Sequence, residues 1–194
     1  MCMRNFDRAM KAVAALGLTG HNRMLAAHWL SCWTNDKPPS LGTFTAKRSP
    51  EFAPAIAIME MRQPDVFRCI KAGTYYQLAL GYSIEGQNIL SLTNAPDRDR
   101  RFAWSWQIVM GAVTCSNLPF KSQDHGLAMA QSMSLPFSNA APDGTRMFLK
   151  HINWRPQTSD WIIGNVAGDV QSPESRVIIS YNDPPENKLI AAAG

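Results

Sequence analysis

The chain has 194 residues, of which 45% are hydrophobic, with 19 lysines and arginines against 15 aspartates and glutamates. A chain of this length and hydrophobic content can bury a core, which excludes a wholly disordered protein and suits one domain of about 130 to 150 residues plus extensions. The formal excess of +4 is small and scattered, so we expect no nucleic-acid partner. No stretch reaches the roughly 18 uncharged apolar residues of a membrane span.

The beginning of the chain and its cysteines favour a cytoplasmic protein. Residues 1–20 contain Asp7 and only a short apolar run, which argues against a secretory signal and predicts a weakly amphipathic or frayed arm. The four cysteines lie far apart without CxxC spacing, so we expect reduced thiols and no zinc site from cysteines alone.

The first predicted helix begins with Asn22 as its N-cap and continues to about Trp33. One face of this helix carries apolar residues at helical spacing: Leu25, Trp29 and Cys32. Two consecutive prolines follow, which cannot continue a helix, and they predict a loop that extends to Pro54. The patterns over 55–61 and 66–71 then predict two strands joined into a hairpin.

After a short helix over 75–80, the longest helical pattern runs from Asp97 to about Asn117. At helical spacing it has two apolar stripes. The first, expected to face the sheet, contains Phe102, Trp106, Val109 and Val113. The second, on the opposite side, contains Trp104, Ile108, Ala112 and Cys115. The second stripe needs a cover from the N-terminal helix, a second subunit or a partner protein.

Three strands are predicted over 118–123, 126–137 and 145–154. The middle strand alternates larger residues at 127, 129, 131, 133 and 135 with alanines and serines, so it has one large-residue face and one small-residue face. Five strands in a 2 + 3 arrangement predict an α+β fold, with an antiparallel sheet and helices on one face. We expect the domain to cover 21–154 and residues 155–194 to form an extended or flexible tail.

Four segments carry a likeness to a known family. They are the Trp-bearing helix with its Pro-Ser exit (29–40), the strand that ends in Gly-Thr (67–74), the G-x-x-x-x-G turn (81–86), and Leu135-Pro136-Phe137-Ser138 with the later Asp143-Gly144. Over residues 21–154 the chain resembles the single-domain PAS-like regulatory proteins found largely in alphaproteobacteria. The resemblance implies a PAS-like fold and a sensory or regulatory role without an enzymatic output domain.

Three further patterns contain residue types that can form metal, catalytic or phosphate sites. His28 and Cys32 are one helical turn apart, as metal or haem ligands can be, but the pattern indicates no third ligand and packing is the simpler interpretation. His125 lies next to Asp124 and near Ser122, yet sequence adjacency does not make a catalytic triad. Three arginines open the long helix and are interpreted as solvated charges rather than a phosphate site: Arg98, Arg100 and Arg101.

The sequence therefore predicts a non-enzymatic module that acts by self-association or by contact with another signalling protein, with a small apolar ligand as a modulator. The alternatives are a small-ligand or haem-binding sensor with a pocket between sheet and helices, and an uncharacterised enzyme. No cofactor is required by the sequence pattern. The candidate pocket residues are Tyr76, Leu80, Trp106, Met110, Met129 and Met133. The candidate interface residues are Trp29, Trp33, Trp104 and Ile108.

Overall fold

A computed structural model describes residues 5–47, 50–63, 66–80, 82–92, 95–122, 126–138, 145–153, 161–163 and 176–180. The described helices are α1 (Asn5–Ala15), α2 (Gly20–Ser31), α3 (Leu41–Lys47), a 3-10 helix (Pro50–Ala55), α4 (Thr74–Leu80) and α5 (Ala95–Val109). The described strands are β1 (Ile56–Gln63), β2 (Val66–Ala72), β3 (Ala112–Ser122), β4 (Gly126–Pro136), β5 (Arg146–Asn153), β6 (Trp161–Ile163) and β7 (Arg176–Ser180).

All described strands join one antiparallel sheet in the order β2-β1-β5-β4-β3-β6, with β7 also paired to β3. The predicted hairpin is present as β1–β2, and β1 also pairs with β5, which joins the hairpin to the three later strands. The predicted α+β class is therefore confirmed, and so is the predicted antiparallel sheet, whose five predicted strands are β1, β2, β3, β4 and β5.

Helices cover both faces of this sheet, so the prediction of helices on one face is wrong. On β1, Ile56 and Ile58 pack with the N-terminal helices, whereas Ala57 and Met59 pack against the other layer. Because successive strand residues point to opposite faces, this split defines two layers. We call them the α1–α3 face, covered by α1 to α3 and the 3-10 helix, and the α5 face, covered by α4, α5 and the segment 82–92.

The N-terminal arm predicted for residues 1–20 contains a packed helix, α1, with Ala9 and Ala12 buried in the core. The carboxylate of Asp36 accepts hydrogen bonds from the backbone N–H groups of Asn5 and Phe6, at 2.9 and 2.7 Å. A carboxylate at a helix N-terminus satisfies donors that the helix cannot pair internally. This cap comes from 30 residues away, which is why local sequence gave no sign of it.

The predicted N-cap of α2, Asn22, is wrong. Thr19 occupies the N-cap position of α2 without a side-chain cap bond, and Asn22 lies inside the helix with its side chain buried. The expected apolar face is confirmed, because Leu25, Trp29 and Cys32 are all buried.

The long helix is shorter than predicted, since α5 ends at Val109 and β3 begins at Ala112. Gly111 separates them with a φ of 104°, a conformation that favours glycine. Ala112, Val113 and Cys115 therefore belong to a strand and not to the two predicted helical stripes. The apolar residues at the start of β3 happen to continue the helical spacing of α5, although they are apolar because they are buried in the sheet.

Two short strands lie beyond the predicted domain boundary. β6 pairs with Phe120–Ser122 and β7 with Ala112–Ser116, so both add to the outer edge of β3. Phe120 pairs with Ile163, and Ser116 pairs with Arg176. Twelve residues lie between Ile163 and Arg176, whereas three lie between their partners on β3, so the connection from β6 to β7 is nine residues longer than the stretch of β3 that it spans. The sheet therefore extends into the segment that the sequence predicted as a tail.

Gly73, in the predicted Gly-Thr strand end, sits against the 3-10 helix. A Cβ added at Gly73 would lie 2.2 Å from the carbonyl oxygen of Pro54 and 2.3 Å from that of Ala53. The N–H of Gly73 donates to the carbonyl of Ile56 at 2.8 Å. Only glycine allows this approach, which fixes the 3-10 helix against the end of β2.

Candidate functional site

The predicted pocket residues whose side chains the structure describes do not converge on one pocket. Tyr76 is buried on the α5 face, where its hydroxyl donates to the carbonyl of Lys150 at 3.2 Å. Met133 is fully buried on the opposite, α1–α3 face. Trp106 and Met110 are 41% and 43% exposed at the end of α5. The side chains of Leu80 and Met129 lie outside the described part of the chain.

The predicted interface residues are mostly internal. Trp29 is fully buried, and its indole N–H donates to the carbonyl of Pro136 at 2.8 Å. Trp33 is half-buried and packs edge-on against Trp29, with ring centroids 5.1 Å apart. Ile108 is buried on the α5 face, and Trp104 is half-buried. The predicted second stripe therefore does not form an exposed surface. The prediction that the Trp29 helix covers Ile108 is also wrong, because the two lie on opposite faces of the sheet.

A stripe of exposed residues at i, i+4, i+7 and i+11 instead runs along α5 and ends one residue beyond it, and two of its four members are large apolar residues. Its members are all exposed, and we call them the α5 stripe: Asp99, Ala103, Trp106 and Met110. The opposite side of the helix carries Ser105, Ile108 and Val109, which are buried against the sheet. Trp106 also stacks on Phe102, with centroids 6.2 Å apart, which holds the indole along the helix.

A cation lies beside the end of this stripe. The Arg146 guanidinium donates to the carbonyl of Val109 at 3.2 Å and lies 3.1 Å from the sulfur of Met110. The bond to Val109 satisfies a carbonyl at the C-terminus of α5, where a positive charge also complements the helix dipole. The α5 stripe therefore has a carboxylate at one end, a guanidinium at the other and an indole between them.

Two buried thiols, Cys69 and Cys115, and the buried phenol of Tyr76 are not activated for nucleophilic chemistry. Burial raises the pKa of Cys69 to about 11, although the backbone hydrogen bond to Lys71 opposes this, and burial raises the pKa of Cys115 to about 11. Burial also raises the pKa of the Tyr76 hydroxyl well above its usual value. All three groups are protonated at neutral pH, whereas a reactive cysteine needs thiolate.

His28 and Cys32 come together as predicted for neighbours on one helix face, with the Cys32 sulfur 3.8 Å from His28 Nε2. The same Nε2 lies 3.4 Å from the carbonyl oxygen of Phe44, and Cys32 is buried. Within the described residues, no group of three or more histidine, cysteine, aspartate or glutamate side chains could hold a metal ion. The pair is accounted for by packing between α2 and α3.

A polar cluster that the sequence analysis missed fastens α2 to the sheet. Asn22 Nδ2 donates to the backbone carbonyl of Gln131 at 2.9 Å and to its Oε1 at 3.1 Å. Asn22 Oδ1 lies 2.7 Å from Nδ1 of His151, which is fully buried. Burial, with a smaller contribution from the nearby His21, lowers the pKa of His151 to about 4. No short-range spacing signals this cluster, since Asn22 lies more than 100 residues from both Gln131 and His151.

The remaining sequence candidates are not assembled into a site by the described residues. Asp124 and His125 lie outside those residues, as does the side chain of Ser122. Arg98 and Arg101 are exposed on α5. The side chain of Arg100 is not among those described.

The α5 stripe could have been found from sequence once the helix end was placed at Gly111. Asp99, Ala103 and Trp106 then fall opposite Ser105 and Ile108 at 100° per residue.

Among the described helices, none is long and apolar enough to cross a lipid bilayer. No family model matches the chain and no curated protein matches it, so its function is argued from these residues.

Proposed function

We propose that this chain is a non-enzymatic PAS-like regulatory module that acts through self-association, with the α5 stripe as its contact surface. The 2 + 3 antiparallel sheet with helices supports the PAS-like part of the proposal. The observation that carries the self-association is the α5 stripe, in which Trp106 and Met110 are exposed one helical turn apart. Trp, Met and Arg are the residue types enriched in the cores of protein interfaces.

The order of residues along the stripe is self-complementary. If two copies of α5 pack antiparallel about a twofold axis, position i of one copy faces position 209 − i of the other. In that register Trp106 of one copy faces Ala103 of the second, and Asp99 faces Met110. A large indole then meets a methyl group, which is how ridges of one helix fit the grooves of another.

The charges agree with the same register. Asp99 and Met110 are separated by 11 residues, or about 16 Å along a helix. Arg146 lies beside Met110, so antiparallel packing brings the carboxylate of one copy towards the guanidinium of the second. A symmetric contact would repeat this pair twice, and symmetric dimers are the commonest oligomers. A regulatory signal that alters α5 would then alter the dimer.

Ala103→Arg tests the proposal, because the long side chain would fill the space that faces Trp106 while remaining exposed in the single subunit. Ala27→Arg, at an exposed position of α2, is the matched control. We expect the wild type to sediment as a dimer, with Ala103→Arg weakening the dimer at least about tenfold and Ala27→Arg leaving it unchanged. A monomeric wild type, or equal masses for all three proteins, would contradict the proposal.

A further inference from the structure

The orientation of the Asn22 amide follows from its partners. Its Nδ2 lies 2.9 Å from a backbone carbonyl oxygen, which can only accept, so this atom must be the donating nitrogen. Oδ1 is therefore the atom that faces His151, and an amide oxygen can only accept. It follows that His151 Nδ1 carries a proton and donates to Asn22.

This tautomer leaves the second ring nitrogen of neutral His151 with a lone pair. Among the described residues, His151 Nε2 is buried and has no hydrogen-bond partner. A buried polar atom without a partner destabilises the fold, so it needs an explanation. A bridging water needs two to four polar partners, whereas three neighbours of this ring, Ile56, Met133 and Phe52, are apolar.

The surroundings of the ring are apolar on most sides. Cross-strand neighbours on its face are Ile56 of β1 and Met133 of β4, and Phe52 of the 3-10 helix packs edge-on with centroids 6.2 Å apart. His21 of α2 also packs edge-on against Phe52, with centroids 5.8 Å apart. The charged and titratable groups on the packed elements are His21, Arg23 and His28 of α2, the exposed Glu51 of the 3-10 helix, Glu60 and Arg62 of β1, and Arg146 and Lys150 of β5. Glu60 lies four residues along β1 from Ile56.

We propose that Asn22 and His151 form a proton-sensitive latch, which holds α1 and α2 on the sheet while His151 is neutral and releases them when Nε2 takes up a proton. The protonated imidazolium would be buried against Ile56, Met133 and Phe52, with His21 as the nearby titratable group. Departure of α2 brings the ring into contact with water. Neither Asn22 nor His151 belongs to the α5 stripe, so the latch is independent of the proposed dimer.

The direction of the pH effect follows from linkage. The folded-state pKa of His151 is lowered from 6.5 to about 4, so the latched state is fully favoured above pH 6.5. As the pH falls from 6.5 towards 4, the released state binds the proton more readily and the latch weakens. With an ordinary pKa of about 6.5 in the released state, opening becomes about 20-fold more frequent at pH 5 than at pH 7 and about 200-fold at the acid limit.

Two buried cysteines report separately on the two faces of the sheet. Cys115 lies on the α1–α3 face and Cys69 on the α5 face. Burial raises the pKa of both thiols to about 11. Their thiolate fractions therefore change by the same factor between pH 5 and 7, and the ratio of the two labelling rates does not depend on this change. A disulfide reagent that reacts at acid pH, 4,4′-dithiodipyridine, followed by peptide mass spectrometry, measures each labelling rate in the intact protein.

We expect the Cys115 to Cys69 labelling ratio to rise about 20-fold between pH 7 and pH 5 in the wild type. His151→Gln keeps an N–H donor for Asn22 and does not titrate, so its ratio should stay flat. His21→Gln is the control and should retain most of the rise. Nitrogen-15 shifts of labelled His151 should report the Nδ1–H tautomer at pH 7.

Three results would overturn the latch. The wild-type ratio could stay constant from pH 7 to pH 5, which includes the case where both thiols are exposed together by global unfolding. His151→Gln could show the same rise as the wild type. Nitrogen-15 shifts that place the proton on Nε2 would remove the basis of the argument.

Discussion

The two faces of the sheet are closed in different ways. On the α1–α3 face, large apolar residues of β4 and β5 such as Met133 and Leu149 pack under the helices, and side chains of α2 bond directly to strand carbonyls. On the α5 face, β3 and β4 present small hydroxyl residues in cross-strand pairs, Thr114 with Ser134 and Ser116 with Ser132.

The contrast shows how one sheet can serve two purposes. Directional bonds from Trp29 and Asn22 fix α2 in one position, because a buried donor must find its acceptor. The residues of β3 and β4 under α5 are small, and Trp106 lies on the side of the helix that faces away from them. The first face therefore fixes the fold, and the second leaves an aromatic surface available for contact.

Replacing the same residue type on the two faces should give the largest difference. Trp29→Ala removes a fully buried indole and leaves the Pro136 carbonyl unpaired, so we expect a loss of about 3–5 kcal/mol in the free energy of unfolding. Trp106→Ala, at an exposed position, should change stability by no more than about 0.5 kcal/mol. Urea denaturation followed by far-ultraviolet circular dichroism measures both; similar losses would mean that the faces are not distinguished in this way.

Two adjacent residues of β4 sharpen the comparison, because they point to opposite faces. Met133→Ala should create a cavity beneath the N-terminal helices and cost about 2–5 kcal/mol. Ser134→Ala keeps the side chain small and loses one buried hydroxyl, at a cost of about 1 kcal/mol. Thermal melts of the two variants should separate clearly, and a reversed order would show that the large-residue face of β4 is not the one under α2.

A smaller effect is expected from the amide that joins α2 to the sheet. Asn22→Ala leaves the His151 N–H and the Gln131 carbonyl without this partner, which should cost about 1–3 kcal/mol at pH 7. Asn153→Ala is the control, because its amide is less buried and its contact with the Thr19 carbonyl is longer, 3.4 Å. If the two variants lost equal stability by chemical denaturation, Asn22 would have no special part in holding the helix.

Sequence patterns were most informative where the signal is local. The alternation of large and small residues in β4 predicted its two faces, and Met133 and Ser134 lie on opposite ones. The boundary of α5 was misplaced because Ala112 and Val113 extend a helical period, although Gly111 ends the helix by its backbone conformation. Once that boundary moves, Trp106 changes from a predicted sheet contact to an exposed residue.

Non-local partners explain what the sequence could not reveal. Asparagine is a common N-cap residue, so the sequence favoured a capping role for Asn22. Only the fold brings Asn22 to His151, which follows it by 129 residues. Likewise, the short apolar runs of β6 and β7 carry no sign of the edge that they pair with, since strand pairing is set by tertiary structure. The predicted interface failed for the same reason: burial of Trp29 and Ile108 depends on which layer covers each face.

The pairing of β6 and β7 on one edge of β3 has a consequence during synthesis. At the opposite edge of the sheet, β2 is covered by residues 86–89, which bond to Phe67 and Cys69 and follow them within about 20 residues of chain. The β3 edge must wait for residues 161–163 and 176–180, about 40 to 60 residues later. At roughly 5–20 residues per second, an open strand edge persists for several seconds on each nascent chain. That interval is when neighbouring chains on one message could pair by mistake, so translation speed over residues 123–180 should govern the yield of folded protein.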